Sequence, residues 1–201
     1  MNEVVVKYFK SIDPTLFSFA QKVTIEDRPT HSSADYFSHL CEDIIGQQLS
    51  GKVADVLIER FYKLFSKKNV TPRTVLKKTE AELRGIGMSW SKARFIRDLA
   101  QKVLDKSVRL DHLSTLPDEE VIKELTKVKG IGPWTAEMFL MFTLGREDVF
   151  SYGDLGLKNA MKKHYGFKKD PTVKQMEKIV NKWKPYRTWA ARILWKSLEL
   201  K

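Results

Sequence analysis

The chain has 201 residues, 42% of them apolar, which is enough to bury a real core and too apolar for a disordered segment. Cys41 is its only cysteine, which excludes an intrachain disulfide, a cysteine-rich zinc site and a four-cysteine iron–sulfur cluster. The formal charge of +11 is uneven: residues 146–201 hold 14 Lys/Arg against 6 Asp/Glu, a net +8, so a polyanion partner facing the C-terminal quarter is expected.

Helical signals dominate. Val4-Val5-Val6 is the only short strand candidate and reads as helical. Asp13-Pro14 is a cap followed by proline at the first helical position, opening a short helix toward Lys22. Ile25 to Ser32 reads as a loop. Ser33 is expected to cap a helix running to about Gln47, with Phe37, Leu40, Cys41, Ile44 and Ile45 along one face. Gly46-Gln47-Gln48-Leu49-Ser50-Gly51 interrupts it, and Ser50 can cap the next helix, which carries Val53, Leu57, Phe61 and Leu64–Phe65. Thr71-Pro72 and Thr79-Glu80-Ala81-Glu82 open two short helices, and Ser89 or Ser91 starts a longer one through Val103. Pro117-Asp118-Glu119-Glu120 opens the helix before a Gly-Ile-Gly-Pro turn, and a second helix runs from Pro133 to about Leu144. Asp154 can begin a helix ending near Tyr165-Gly166, Pro171-Thr172 one to Trp183, and after Pro185 a last helix carries Trp189, Ile193 and Leu198. The fold class is all-α.

No apolar run approaches the ~20 residues of a membrane helix. The N-terminus lacks the apolar core of a signal peptide, so an intracellular protein is expected, in cytoplasm or nucleoid of a prokaryote or in the nucleus of a eukaryote.

The Val128-Lys129-Gly130-Ile131-Gly132-Pro133 turn carries the first functional signal. Glycines permit backbone angles barred to other residues and let a ligand approach the amides. Pro133 starts a helix whose unsatisfied N–H groups point back at the turn, and such helix ends bind phosphate. Lys127 and Lys129 add mobile charge beside it. The plainer alternative is a helix–helix turn with a glycine stop. A weak echo, Leu83-Arg84-Gly85-Ile86-Gly87, lies 45 residues earlier. It suggests two related turns, since a solenoid would need more copies.

Taken together, Leu125 through Ala136, the later Asp154, Gly46-Gln47-Gln48-Leu49-Ser50 and Lys184-Pro185-Tyr186-Arg187-Thr188-Trp189-Ala190-Ala191 resemble the helix-hairpin-helix DNA glycosylase superfamily. Within it the chain is similar to the 3-methyladenine DNA glycosylase II branch that repairs alkylated bases, in the compact form without an N-terminal β domain. The resemblance implies two helical lobes with a DNA-binding cleft between them. Residues 48–145 would form the lobe with the hairpin, and 1–47 would pack with 146–201 as the lobe with the catalytic aspartate.

The resemblance also implies roles. The amides of Gly130, Gly132 and Thr135, with Lys129, would hold a DNA phosphate. The carbonyls of Thr126, Val128 and Ile131 could hold a monovalent cation, Na+ or K+, with no other cofactor required and no iron–sulfur cluster. Gln48, with Leu49, would be the wedge that enters the duplex where the base leaves. Trp134, Met138 and Trp195 fall at base-pocket positions, and Asp154 at the catalytic aspartate. The partner would be double-stranded DNA containing alkylated bases, with no membrane involved, and the protein a monomer.

The implied chemistry is hydrolysis of the N-glycosidic bond of a flipped alkylated purine, such as 3-methyladenine or 7-methylguanine, in base excision repair. Bond breaking puts positive charge on the sugar, which a fixed carboxylate stabilises. Bifunctional relatives carry a catalytic lysine where this chain has Trp134, so no abasic-site lyase activity is expected. On the residues alone, Asp154 is also a helix N-cap, and each tryptophan also suits a core. Two rival readings are a non-enzymatic tandem helix-hairpin-helix DNA-binding module, suggested by the echo, and a glycosylase of the family that takes a different lesion. His31, His39, His112 and His164 lack metal-ligand spacing. Glu42, Asp43, Glu137 and Asp148 read as salt-bridge or cap residues. Lys162, Lys163, Lys168 and Lys169 read as a solvated face.

Overall fold

The computed structural model describes residues 3–26, 31–66 and 69–200. Its helices in chain order are α1 (Glu3–Ile12), α2 (Pro14–Ala20), α3 (Tyr36–Gly46), α4 (Gly51–Lys63), α5 (Pro72–Leu76), α6 (Glu80–Gly85), α7 (Trp90–Leu104), α8 (Asp118–Leu125), α9 (Pro133–Phe142), α10 (Leu155–His164), α11 (Val173–Val180) and α12 (Arg187–Ser197). Among the described residues there is no strand, and no helix is long and apolar enough to cross a membrane.

Most helix starts follow from the local sequence. The Asp13 carboxylate accepts the Leu16 amide, and Pro14 takes the first helical position, where its missing N–H costs nothing. Thr71, Thr79 and Thr172 each form a reciprocal capping box with the residue three places on. Ser89, not Ser91, caps α7 by accepting the Lys92 amide. Ser33 does not cap α3; the helix begins after Asp35, which is engaged by the Ser32 hydroxyl. Ser50 stands at the cap position of α4 without a side-chain cap bond. α4 ends at Lys63, and Val53 is exposed, while Leu57, Phe61 and Phe65 face the core. The loop expected over Ile25–Ser32 lies in part outside the described residues.

The chain divides into two units, Met1–Pro29 with Gly145–Lys201, and Thr30–Leu144. The first boundary therefore falls at 29/30, not at 47/48 as the resemblance implied. The physical reason is α3: its apolar face of Phe37, Leu40, Cys41, Ile44 and Ile45 is buried, and the helix packs on α4, α7 and α9.

In the first unit α10 and α2 pack on α12, and α1 packs on α2. Phe9, Leu16, Met161, Trp183, Ile193 and Leu194 are fully buried. Asp13 is buried among them and is well paired. Besides the Leu16 amide it accepts the Tyr165 hydroxyl and the Trp183 indole N–H, each at 2.8 Å. In the second unit α7 is central: α5, α6 and α3 all pack on it, and α8 packs on α9.

Candidate active site

Asp154 sits at the N-cap of α10, half-buried, with its carboxylate oxygen Oδ1 accepting the Leu157 amide at 2.7 Å. The same oxygen accepts the Trp195 indole N–H at 2.8 Å, from α12. Two donors of different origin fix the plane of the carboxylate. The cap and the candidate catalytic acid are thus one residue with one orientation.

α12 also positions the approach to Asp154. Arg187 makes a two-pronged ion pair with Asp148, Nε at 2.6 Å and Nη2 at 3.0 Å, and Nη2 reaches the Asp148 carbonyl at 2.7 Å. Such a fork fixes direction as well as charge. The buried Thr188 hydroxyl donates to the Arg146 carbonyl and accepts the Val149 amide at 3.0 Å, while the Trp189 indole donates to Glu147. The start of α12 therefore stitches down residues 146–149, the segment leading to Asp154. Asp148 is a salt-bridge residue, as its sequence setting suggested.

Gly156, which the sequence reading passed over, makes this arrangement possible. A Cβ there would stand 3.1 Å from Asp154 Oδ1 and 3.1 Å from both Cδ1 and Nε1 of the Trp195 ring. A glycine in the first turn of a helix, two residues past a candidate acid, was the available signal. Alanine at 156 would gain up to about 1 kcal/mol in helix propensity. It would also crowd an indole held by its own hydrogen bond, and overpacking of this kind costs roughly 1–3 kcal/mol. Gly156→Ala is therefore expected to lower the urea midpoint and shift tryptophan fluorescence. A midpoint at or above that of the parent would overturn the close-approach reading.

The second unit carries the other candidates. The hairpin between α8 and α9 spans Thr126–Gly132, closed by the Ile131 amide on the Val128 carbonyl at 3.1 Å. Gly130 has φ +85°, the left-handed region that favours glycine. Gly132 does not need that freedom: its φ is −93° and its Cβ would meet nothing within 4 Å. Only the first glycine is required by the backbone; the second leaves open space in front of the amides that begin α9. Lys129 is exposed, whereas Lys127, expected to be mobile, is paired with Glu124 at 2.6 Å. The echo is not in register. At Gly85-Ile86-Gly87 the left-handed residue is the second glycine, with φ +112°, and Gly85 is the last residue of α6.

Trp134 is 43% exposed on the first turn of α9, and Met138, one turn on, is buried at 8%. Thr135 is buried, and its hydroxyl accepts the Gln47 amide nitrogen at 3.1 Å. Gln47 Nε2 also donates to the Gly130 carbonyl at 2.8 Å, so the turn after α3 is tied directly to the hairpin. Sequence reasoning gave Gln47 no separate role. The turn is closed by the Leu49 amide on the Gly46 carbonyl at 3.1 Å, and its tip, Gln48, is exposed at φ +60°. A left-handed glutamine costs about 1–2 kcal/mol, which marks a tip held in place by its surroundings. Leu49 beside it is 36% exposed.

Several of the remaining polar candidates have partners within the fold. His31 and His39 share a 2.9 Å hydrogen bond, and His39 and Tyr62 bond to Glu42. Burial works to raise the Glu42 pKa, but these two partners outweigh it and lower it. His164 bonds the Ser197 hydroxyl, and Lys162 pairs with Asp170. Among the described residues no group of three or more His, Cys, Asp or Glu could hold a metal ion.

Residues 41–185 match the model of the HhH-GPD superfamily base excision DNA repair protein. A putative DNA-3-methyladenine glycosylase of Bacillus subtilis is 34% identical over 82% of this chain, and the matched region spans 60% of that relative's length. The crystal structure of DNA-3-methyladenine glycosidase from Bacillus halodurans has a TM-score of 0.82 and 34% identity, covering 98% of this chain and 89% of the other. A Schizosaccharomyces pombe 3-methyladenine DNA glycosylase, solved in complex with abasic DNA, has a TM-score of 0.82 and 26% identity, covering 98% of this chain and 97% of the other. The likeness extends over both units, the family match includes Gln47, Gly130 and Asp154, and the chain belongs to the HhH-GPD superfamily.

Proposed function

We propose that this chain is a monofunctional DNA glycosylase that hydrolyses the N-glycosidic bond of alkylated purines, such as 3-methyladenine or 7-methylguanine, in double-stranded DNA, as an intracellular monomer in base excision repair. The observation that carries this reading is Asp154, whose carboxylate is fixed by the Leu157 amide and the Trp195 indole. A non-enzymatic DNA-binding module would use Asp154 only as the N-cap of α10 and gives no role to the second hold from the Trp195 indole. The out-of-register echo also removes the argument for a tandem pair of equivalent hairpins.

The amides of Gly130, Gly132 and Thr135, with the Lys129 ammonium, hold a DNA phosphate without reading sequence. The exposure of Gly130 and Gly132 and the open space in front of Gly132 support this. A Na+ or K+ on the carbonyls of Thr126, Val128 and Ile131 would add positive charge beside that phosphate. The Ile131 amide occupies one of the two lone pairs of the Val128 carbonyl, which fits such a ligand. No other cofactor is needed.

Gln48 and Leu49 enter the stack as the damaged nucleotide leaves it. Trp134, Met138 and Trp195 are the candidate contacts to the base. Alkylation makes the base cationic, and an electron-rich ring attracts such a base by about 0.5–2 kcal/mol. The cationic base is already a good leaving group, so one acid suffices. As the bond lengthens, Asp154 stabilises the positive charge on the sugar and orients the water that completes hydrolysis. Trp134 stands where a lysine would form a Schiff base, so the product is an intact abasic strand.

Duplex oligonucleotides bearing different alkylated bases test this. The expected result is release of the free base, with strand breaks only after alkali, and no covalent adduct on borohydride reduction. A trapped adduct would remove the monofunctional assignment, and no release from any alkylated duplex would remove the enzyme reading.

A further inference from the structure

One side of α7 touches both the Gly46–Ser50 turn and the hairpin. Lys92 Nζ donates to the carbonyls of Ile45 at 2.8 Å and Gln47 at 2.6 Å, the chain end of α3. One turn along, the Phe95 ring lies against Gly130, so close that a Cβ there would fall 2.1 Å from Cδ2. Asp98 Oδ2 then accepts the backbone N–H of Lys129 at 2.9 Å. Lys102 Nζ binds the same Asp98 oxygen at 2.9 Å and the Lys127 carbonyl at 2.5 Å. Positions 92, 95, 98 and 102 are three or four residues apart, which keeps them on one side of a helix.

We propose that this side of α7 is a brace that fixes the Gln48–Leu49 turn relative to the phosphate-holding hairpin, with Lys92 as a positioning residue for base flipping. The proposal rests on the reading of that turn as the wedge and of the hairpin as the phosphate site. Carbonyls at a helix C-terminus have no intrahelical partners and attract a cation. Lys92 satisfies two such groups and so sets where the turn leaves α3. Gln47 ties the other side of the turn to Gly130 and Thr135. On the hairpin, hydrogen bonds from Lys102 and from the Lys129 amide lower the Asp98 pKa against the opposing effect of burial, so the carboxylate stays charged and keeps its grip. Wedge and phosphate grip are thereby anchored to a common helix. The wedge has a fixed place to enter, measured from the phosphate that the hairpin holds.

The test compares single-turnover base release from the same alkylated purine in a fully paired duplex and in an unpaired bubble within that duplex. In the bubble there is no stack to open, so a wedge contributes little, while the hairpin still holds the backbone. Lys92→Met is expected to slow release from the paired lesion about 10–50-fold and from the bubble less than about threefold, and Lys92→Arg to recover most of the loss. Gln47→Ala, which cuts the other tie of the turn, is expected to show the same paired-only defect, and it serves if Lys92→Met does not fold. Asp98→Ala should instead weaken binding to both substrates by the same factor. Equal losses on both substrates for Lys92→Met and Gln47→Ala, or no loss on either, would overturn the brace while leaving the glycosylase reading intact. No release by the parent protein from either substrate would overturn the glycosylase reading, and the brace with it.

Discussion

Asp154→Asn is expected to slow base release about 10³-fold or more while leaving affinity for an abasic duplex within about threefold of the parent. Asparagine is nearly isosteric and is as good an N-cap as aspartate. Its amide oxygen can still accept the Leu157 amide and the Trp195 indole N–H, so the fold and the local geometry are kept. What is lost is the negative charge. A unit charge about 4 Å from the developing cation, at an effective dielectric near 20, is worth about 4 kcal/mol, and each 1.4 kcal/mol is tenfold. Asp154→Ala loses the cap as well, at about 1 kcal/mol of stability, and so separates the two roles of the residue. Single-turnover kinetics and fluorescence anisotropy measure both quantities. Release by Asp154→Asn within tenfold of the parent would show that the carboxylate is not the group that stabilises the sugar.

Gly130→Ala is expected to destabilise the second unit by about 3 kcal/mol or more and to abolish measurable DNA binding at moderate salt. Two effects add. A φ of +85° costs a residue with a Cβ about 1–2 kcal/mol. That Cβ would also fall 2.1, 2.4 and 2.5 Å from Cδ2, Cγ and Cε2 of Phe95, a rigid ring on a helix that cannot yield by rotating a flexible tip. The hairpin must then lift away from α7, taking the Lys129 amide from Asp98. Gly132→Ala makes the contrast: it has an ordinary φ and open space, so its stability should stay within about 0.5 kcal/mol of the parent, yet its methyl stands where a phosphate would approach. The double variant Phe95→Ala/Gly130→Ala relieves the contact and leaves the dihedral cost. Denaturant midpoints and salt-dependent affinities read out all three. A Gly130→Ala protein as stable as the parent would contradict the packing described for the hairpin.

Much of this protein was determined by local sequence. Helix starts at Asp13-Pro14, Thr71, Thr79, Ser89 and Thr172 depend on a cap and the few residues after it, so they could be read without tertiary information. The same holds for the all-α class, for the Gly-Ile-Gly-Pro hairpin, and for Asp154 as a residue that begins a helix. Where local signals compete, the sequence misled. Ser33 could have capped α3, but that helix begins after Asp35, while Ser50 does take the cap position of α4, without a side-chain cap bond. Likewise Lys127 had the same local claim to mobility as Lys129, and its pairing with Glu124 decides otherwise.

The assignment of α3 to the second unit, the separation of the two glycines into one required by φ and one required by open space, and the support of Asp154 by Trp195 were decided by tertiary structure alone. Trp195 and Asp154 are 41 residues apart, and Gln47 and Gly130 are 83 apart. Such pairs leave no periodic trace in a single sequence, because their energy lies in the meeting of side chains whose positions only the packed helices define. The chain thus specifies locally which groups could hold a phosphate or support a cation. Packing of α7 against the hairpin and of α12 against Asp154 determines how rigidly they are held.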